Sequence, residues 1–278
     1  TEAMKQANVT MDDIDAITFT QGPGLIGSLH VGVQAAKTLA WQFHKPLVPV
    51  NHMTGHIYAN CFALDHDLQF PLLALVISGG HSQLVWMETE YDFKVIGETR
   101  DDAIGEAYDK VSRVLGTGYP GGPVIDKMAK NGKEHYHLPT PKVDSPYDFS
   151  FSGLKTAVLQ LIQREEKAGN PIIKEDVAYA FQETALGLMV SKTMNAVKNL
   201  QPKMVVTAGG VAANSRLRAM LEEEMKKFPS IELSQPPIKY CTDNASMIGA
   251  TGYVAYKNGI RGGFDVSADP SLPMPGEE

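Results

Sequence analysis

The chain has 278 residues, 43% hydrophobic and 21% charged, enough apolar material for a sizeable core and too ordinary a charge content for disorder. Its formal charge is −7 and its only cysteines are Cys61 and Cys241, which argues against a disulfide-framed module and against a protein held on nucleic acid by overall charge. The longest apolar runs, such as 71–77, are too short to cross a bilayer, and no signal-peptide pattern opens the sequence, so a cytoplasmic protein without membrane attachment is expected.

In chain order, strands alternate with helices, the pattern of an α/β fold. A strand over 15–20 ends in the turn Gly22-Pro23-Gly24, followed by a helix over 28–43, a strand over 47–50 and a helix from about residue 53. Three strands joined by short turns come next, over 72–77, 81–88 and 93–98, and then a helix over 104–115. The turn Tyr119-Pro120-Gly121-Gly122-Pro123 opens an insert with a short helix over 124–130, a polar stretch over 133–150, and longer helices over 153–167 and 175–200. A strand over 204–207 then meets Gly209-Gly210, and a helix over 215–228, a short strand over 231–233 and a helix from about 243 complete the pattern. After Gly262 come Pro270, Pro273 and Pro275 with little apolar periodicity, so 262–278 is expected to be a loosely ordered tail.

The order strand, glycine turn, helix, strand, helix occurs near both ends of the chain. It predicts two duplicated lobes, an N-terminal lobe over 1–70 and a C-terminal lobe over 71–261 with a helical insert at about 119–200. The second copy has a three-strand preface that the first lacks, and the chain opens on Thr1 rather than Met. An N-terminal piece of the parent protein is therefore expected to lie outside this chain.

In Asn51-His52-Met53-Thr54-Gly55-His56 two histidines stand four apart, which on a helix puts both imidazoles on one face. The duplication places Cys241-Thr242-Asp243-Asn244 at the matching helix start and so predicts Asp243 opposite the histidines. Two imidazoles and one carboxylate with open positions describe a catalytic metal site suited to zinc or ferrous iron; the bland alternative is a pair of surface or capping histidines. A zinc peptidase also uses histidines four apart, but needs a Glu directly after the first as general base. Met53 stands there, so the peptidase reading is weak.

The turn Ser78-Gly79-Gly80 between two predicted strands exposes backbone N–H groups and a hydroxyl, a cradle for phosphate or carboxylate; an ordinary hairpin turn is the alternative. Gly209-Gly210 leads into Asn214: small residues there let an adenine or a ribose approach the backbone, and the Asn214 amide can make paired hydrogen bonds; helix–strand packing is the alternative. Asp109 and Asp126 are placed to reach ribose hydroxyls, against an ion pair with Lys110 for the first and helix N-terminal charge compensation for the second.

With those residues in view, the chain resembles the bacterial TsaD family of tRNA N6-adenosine threonylcarbamoyltransferases, formerly labelled O-sialoglycoprotein endopeptidases. The resemblance runs through Gln21-Gly22-Pro23-Gly24, His52-Met53-Thr54-Gly55-His56, Ser78-Gly79-Gly80-His81 and Gly105-Glu106-Ala107-Tyr108-Asp109-Lys110. It continues through Tyr119-Pro120-Gly121-Gly122-Pro123, Phe149-Ser150-Phe151-Ser152-Gly153-Leu154-Lys155-Thr156 and Gly209-Gly210-Val211-Ala212-Ala213-Asn214. It implies the actin-like, sugar-kinase and Hsp70 ATPase architecture, and transfer of threonylcarbamoyl from threonylcarbamoyl-adenylate to N6 of adenosine 37 in tRNAs reading ANN codons. By motif, His52, His56 and Asp243 correspond to ligands of one divalent ion, Fe2+ or Zn2+. Val76, Ile77, Ser78, Gly79, Gly80, Asp109, Gly122, Asp126 and Asn214 correspond to substrate contacts. The resemblance also implies a paralogous TsaB-type subunit and a small TsaE-type ATPase as partners. The family's opening strand and its Glu-Thr-Ser-Cys-Asp-type turn have no counterpart here. The competing reading is a non-catalytic nucleotide-binding scaffold, which has no use for the histidine and aspartate set. Because the net charge is −7, tRNA needs a local basic surface. The segment with Lys127, Lys130, Lys133 and Lys142, interleaved with His135, Tyr136 and His137, is the expected one.

Overall fold

A computed structural model describes residues 2–276. The chain runs α1 (Glu2–Ala7), β1 (Ile17–Gly22), α2 (Ile26–Phe43), β2 (Leu47–Asn51), α3 (His52–Tyr58), β3 (Leu72–Ile77), β4 (Ser82–Met87), β5 (Phe93–Glu98) and α4 (Ile104–Leu115). It continues through α5 (Gly121–Ala129), α6 (Ser152–Lys167), α7 (Lys174–Leu200), β6 (Met204–Ala208), α8 (Ser215–Met225), β7 (Glu232–Ser234), α9 (Ile238–Cys241) and α10 (Ala245–Lys257). Among the described residues the strands form two sheets, a parallel pair β1-β2 and a mixed five-stranded sheet in the order β5-β4-β3-β6-β7. β3 pairs antiparallel with β4 and parallel with β6, and β6 pairs parallel with β7.

The centre of the larger sheet follows from sequence. All six residues of β3 are apolar and fully buried, as a strand covered on both faces requires. Side chains alternate across a strand, so Leu73, Leu75 and Ile77 enter the core built by α4 to α8, while Leu72, Ala74 and Val76 enter a second core with Met53, Ile57 and Val254. Truncating Leu75 to Ala at such a site costs about 2–5 kcal/mol. α4 shows how the helices are laid down: Ile104, Ala107, Tyr108, Val111 and Leu115 form one buried stripe, and Gly116 ends it at φ +64.

Helix α3 belongs to this packing. Its Met53, Ile57 and Tyr58 sit in the second core against β3, β4 and β6, so the larger sheet carries the two histidines on its flank. Helix α2, by contrast, buries only Leu29, Val33, Ala36 and Ala40, and leaves Val31 and Trp41 at 72% and 67% exposure, with Leu25 at its N-cap 81% exposed.

The tail expected to be loosely ordered is tied down as far as residue 276; residues 277 and 278 lie outside the described residues. Gly262 N–H donates to Leu47 O, Asp269 N–H to Gln21 O, and Gly24 N–H to Pro270 O. Met274 is 3% exposed in the second core. The prolines remove periodicity without removing hydrogen-bond acceptors, and main-chain bonding to the glycine turn after β1 supplies the order. Among the described residues no helix is long and apolar enough to cross a membrane.

Candidate active site

The site begins where β2 passes directly into α3. The Asn51 side chain caps the helix by accepting from Met53 N–H at 2.8 Å, and its Nδ2 donates to Leu272 O and Pro273 O in the C-terminal segment. One helical turn separates His52 from His56, and their rings meet edge to face with centroids 4.8 Å apart. Asp243 lies in the turn between α9 and α10, where Asn244 caps α10 by accepting from Met247 N–H at 2.9 Å. Its Oδ1 is 3.3 Å from Nε2 of both His52 and His56. The two helices can approach this closely because residue 55 is glycine: a Cβ there would stand 3.0 Å from Ile248 Cδ1 and 3.3 Å from Met247 Cγ.

One ligand-type atom from each of His52, His56 and Asp243 thus lies within 4.8 Å of the others. His56 is 1% exposed and its Nδ1 is buried with no hydrogen-bond partner among the described residues. Buried polar atoms of native proteins are normally paired, so the His56 ring is not explained as ordinary core polarity. Hydrogen bonds from His52 and then His56 hold the Asp243 carboxyl well below the usual carboxylate range, against the opposing effect of partial burial. The donor set, two imidazole nitrogens and an ionised carboxylate oxygen with the aspartate side chain 78% exposed on its outer side, fits a divalent ion of the zinc or ferrous type with room for substrate.

The turn after β3 faces the same cleft. Ser78 N–H donates to His81 O at 2.8 Å, and His81 N–H donates to Ser78 Oγ at 3.1 Å. Gly79 and Gly80 are left exposed at the tip. Burial, and next the neighbouring His52 and His56, push the His81 imidazole below its ordinary value. Val76 and Ile77 are fully buried; their side chains belong to the two cores, and only their main chain can serve a ligand. A cleft of about 1420 Å³ joins His52, Asp243, Ser78, Gly80 and His81 to β1, α2 and the C-terminal segment 270–274.

Asp109, Gly122, Asp126 and Asn214 form a second group, outside the lining of that cleft. Asp109 Oδ1 accepts from Gly121 N–H at 2.6 Å, at the start of α5 beside Gly122. The ion pair weighed for Asp109 is absent from the geometry, since Lys110 pairs with Asp102 and Glu106. Asp126 accepts from Ser215 Oγ at 3.1 Å and faces Lys130 at 3.5 Å. Asn214 is heavily engaged: its Oδ1 accepts from Arg216 and Leu217 N–H at the head of α8, and its Nδ2 donates to Gln182 Oε1 at 2.9 Å. Tyr108 OH also donates to Gln182, so α4, α7 and α8 meet at one buried amide. Nothing in the spacing of Gln182 within its helix announces this role. In the lysine-bearing segment Lys127, Lys130, Lys133 and Lys142 are exposed. Tyr136, however, is 6% exposed in the main core and cannot stack on a base, and His135 stacks on Tyr136 and pairs with Asp176.

Comparison with known proteins gives concordant findings. A family model described as TsaD, tRNA N6-adenosine threonylcarbamoyltransferase, matches residues 1–250. A protein of Limosilactobacillus reuteri with that enzyme name is 49% identical over 273 residues, 98% of this chain and 79% of its own length. A Bacillus licheniformis protein of the same name is 51% identical over 274 residues, 98% of this chain and 80% of its own. Among solved structures, full-length HypF in a phosphate- and nucleotide-bound form matches with TM-score 0.65 at 15% identity, over 92% of this chain and 40% of that one. HypF of T. kodakarensis matches with TM-score 0.68 at 14% identity, over 93% and 43%. At such identities the likeness concerns the fold alone, an α/β fold around a mixed sheet.

Proposed function

This chain belongs to the TsaD family of tRNA N6-adenosine threonylcarbamoyltransferases, and on that premise we propose that it transfers threonylcarbamoyl from threonylcarbamoyl-adenylate to N6 of adenosine 37 in tRNAs reading ANN codons, with His52, His56 and Asp243 holding one divalent ion. The observation that carries the site assignment is the convergence of three ligand-type atoms within 4.8 Å, beside an exposed Ser-Gly-Gly turn in one cleft. The architecture we infer is a pair of related lobes, over 1–70 and 71–261 with the insert at about 119–200. It is supported by the parallel pairs β1-β2 and β6-β7, each joined through a glycine turn and a helix.

The reaction forms a bond from N6 to the carbamoyl carbon, breaks the bond from that carbon to the adenylate phosphate, and releases a proton from N6. Adenylate is already a good leaving group, so the protein's task is to position and polarise. An ion held by the triad supplies Lewis acidity and an orienting template. The Ser78–Gly80 turn presents main chain and a hydroxyl to the phosphate or carboxylate end of the donor. His81 braces that turn through its main-chain N–H, which donates to Ser78 Oγ. Asp109 and Asp126 supply acceptors for ribose hydroxyls, Gly122 leaves space beside them, and Asn214 shapes the base end through its cap of α8. A TsaB-type subunit and a TsaE-type ATPase are the partners this reading implies, and the cytoplasm its compartment.

A scaffold reading is disfavoured by the triad, and a peptidase reading by Met53, which is 3% exposed in the second core and has no basic atom to activate water. The deciding experiment is a transfer assay with threonylcarbamoyl-adenylate and tRNA, with the partner subunit, on protein of measured metal content. Product that scales with zinc or iron content supports the assignment. Full transfer by metal-free protein refutes the role given to the triad.

A further inference from the structure

One helical turn beyond His56 stands Asn60, a carboxamide with no exposed surface. Its hydrogen bonds leave in three directions. Nδ2 donates to Ile57 O in its own turn at 3.0 Å and to Thr207 O on β6 at 2.9 Å. Oδ1 accepts from Ser234 Oγ on β7 at 2.8 Å. Ser234 is itself 2% exposed and is the last residue of β7, the strand from which the chain proceeds to Asp243. That onward segment is held in turn by Arg218, whose guanidinium donates to Gln235 O and Pro236 O.

These bonds join the two segments that carry the triad. Apolar packing presses Met53, Ile57 and Tyr58 onto the sheet, but it is non-directional and leaves a short helix free to slide or rotate by fractions of an ångström. A buried amide paired with two carbonyls and a hydroxyl is directional, and leaving any of its groups unpaired is costly, so it fixes the helix in one position. At the opposite end, Asn51 ties the same helix to Leu272 and Pro273.

We propose that Asn60 is a positioning residue for the metal site: through Ser234 it clamps the helix bearing His52 and His56 to the strand that leads to Asp243, and so sets the span across the triad before an ion arrives. This rests on the reading of the triad as a metal site. A preorganised site spends none of the ion's binding energy on ordering two segments. Among the described residues the side chains of Asn60 and Ser234 make no hydrogen bond to a ligand side chain, so the effect is on geometry and not on the basicity of the imidazoles.

The test uses the full chain, with Co2+ as probe, chelator competition for affinity, the visible Co2+ band for coordination geometry, and urea unfolding to confirm that each variant is folded. Asn60→Ala is expected to weaken Co2+ binding roughly tenfold or more, in the range seen when supporting groups around metal sites are removed, and to change the visible band. Ser234→Ala is expected to weaken it about threefold, Ser234→Thr to retain parental affinity, and the double variant to match Asn60→Ala, because both changes remove the same bond. Should Asn60→Ala not fold, Ser234→Ala decides, since it removes one hydroxyl and leaves the two carbonyl bonds intact. Folded variants that bind Co2+ within twofold of the parent, with an unchanged band, would reduce Asn60 to a merely structural residue and overturn the proposal. If the parent binds no Co2+, the metal reading itself fails, an outcome distinct from equal binding by parent and variants.

Discussion

Two adjacent glycines at the end of β6 should respond oppositely to a single added methyl. Gly209 has φ +93, and a Cβ built on it falls 2.2 Å from Ile77 O and 2.8 Å from Ile77 C. Ordinary contact begins near 3.4 Å, so Gly209→Ala requires the two main chains to part by roughly 1 Å. β3 cannot yield easily, since it is paired on both sides by β4 and β6. At φ +93 and ψ 170 the backbone is in an extended positive-φ region open essentially to glycine alone, which costs an L-residue about 1–3 kcal/mol; with about 1–3 kcal/mol for the overpacking, the expected loss is roughly 2–6 kcal/mol in urea unfolding. Ile77 immediately precedes Ser78, so the shift is passed to the turn in the cleft, where about 1 Å of misplacement costs on the order of 100-fold in rate. At Gly210 a Cβ meets nothing within 4 Å, and Gly210→Ala should be neutral or stabilise by up to about 1 kcal/mol. Paired unfolding curves and transfer rates for the two variants decide the matter. Equal stability of both, or a Gly209→Ala loss below about 0.5 kcal/mol, would refute the close-approach argument.

Asp243→Ala should lower the metal content of purified protein as far as His52→Ala or His56→Ala does, because one carboxylate oxygen is 3.3 Å from both imidazoles; full retention by elemental analysis would sink the shared site. Stability should depend on pH through Asp148. Burial raises its pKa, but the bonds that Glu98 N–H and the Arg100 guanidinium donate to the carboxylate, with a smaller contribution from the nearby Ser145 hydroxyl, outweigh it and hold the carboxyl below the usual range. A depressed folded value means that the contribution is complete above the ordinary Asp pKa of about 3.9 and is lost as pH falls from there through the folded value. Asp148→Asn should therefore flatten the fall in urea midpoint below about pH 4, and an unchanged slope would exclude Asp148 as its source. Replacing Lys127, Lys130, Lys133 and Lys142 with Ser should weaken tRNA binding and flatten its salt dependence without changing adenylate affinity; coincident salt slopes would place the RNA surface elsewhere.

The sequence by itself determined the α/β class, nearly every element, and the grouping of the metal candidates. β3, β5 and α4 fall on the residues expected, because six consecutive buried apolar positions, a short β-rich run between turns and an i, i+3, i+4 stripe ending in glycine are local signals. The histidines four apart on one helix are equally local. Asp243 stands 187 residues beyond His56 and was reachable from sequence through the repeated order of elements and the family resemblance, not through any local spacing. Tertiary structure alone decided the rest. The engagement of Asn214 by Gln182, the bond from Asn60 to Ser234 and the binding of the proline-bearing C-terminal segment at Asn51 all join positions distant in the chain. Tyr136 shows the same limit from the other side: it looks like a loop aromatic between two histidines, yet it is buried in the main core. A polar or aromatic side chain carries no periodic mark of its partner. Where its hydrogen bonds go, and whether its ring meets water or core, is fixed only when segments far apart in sequence pack together.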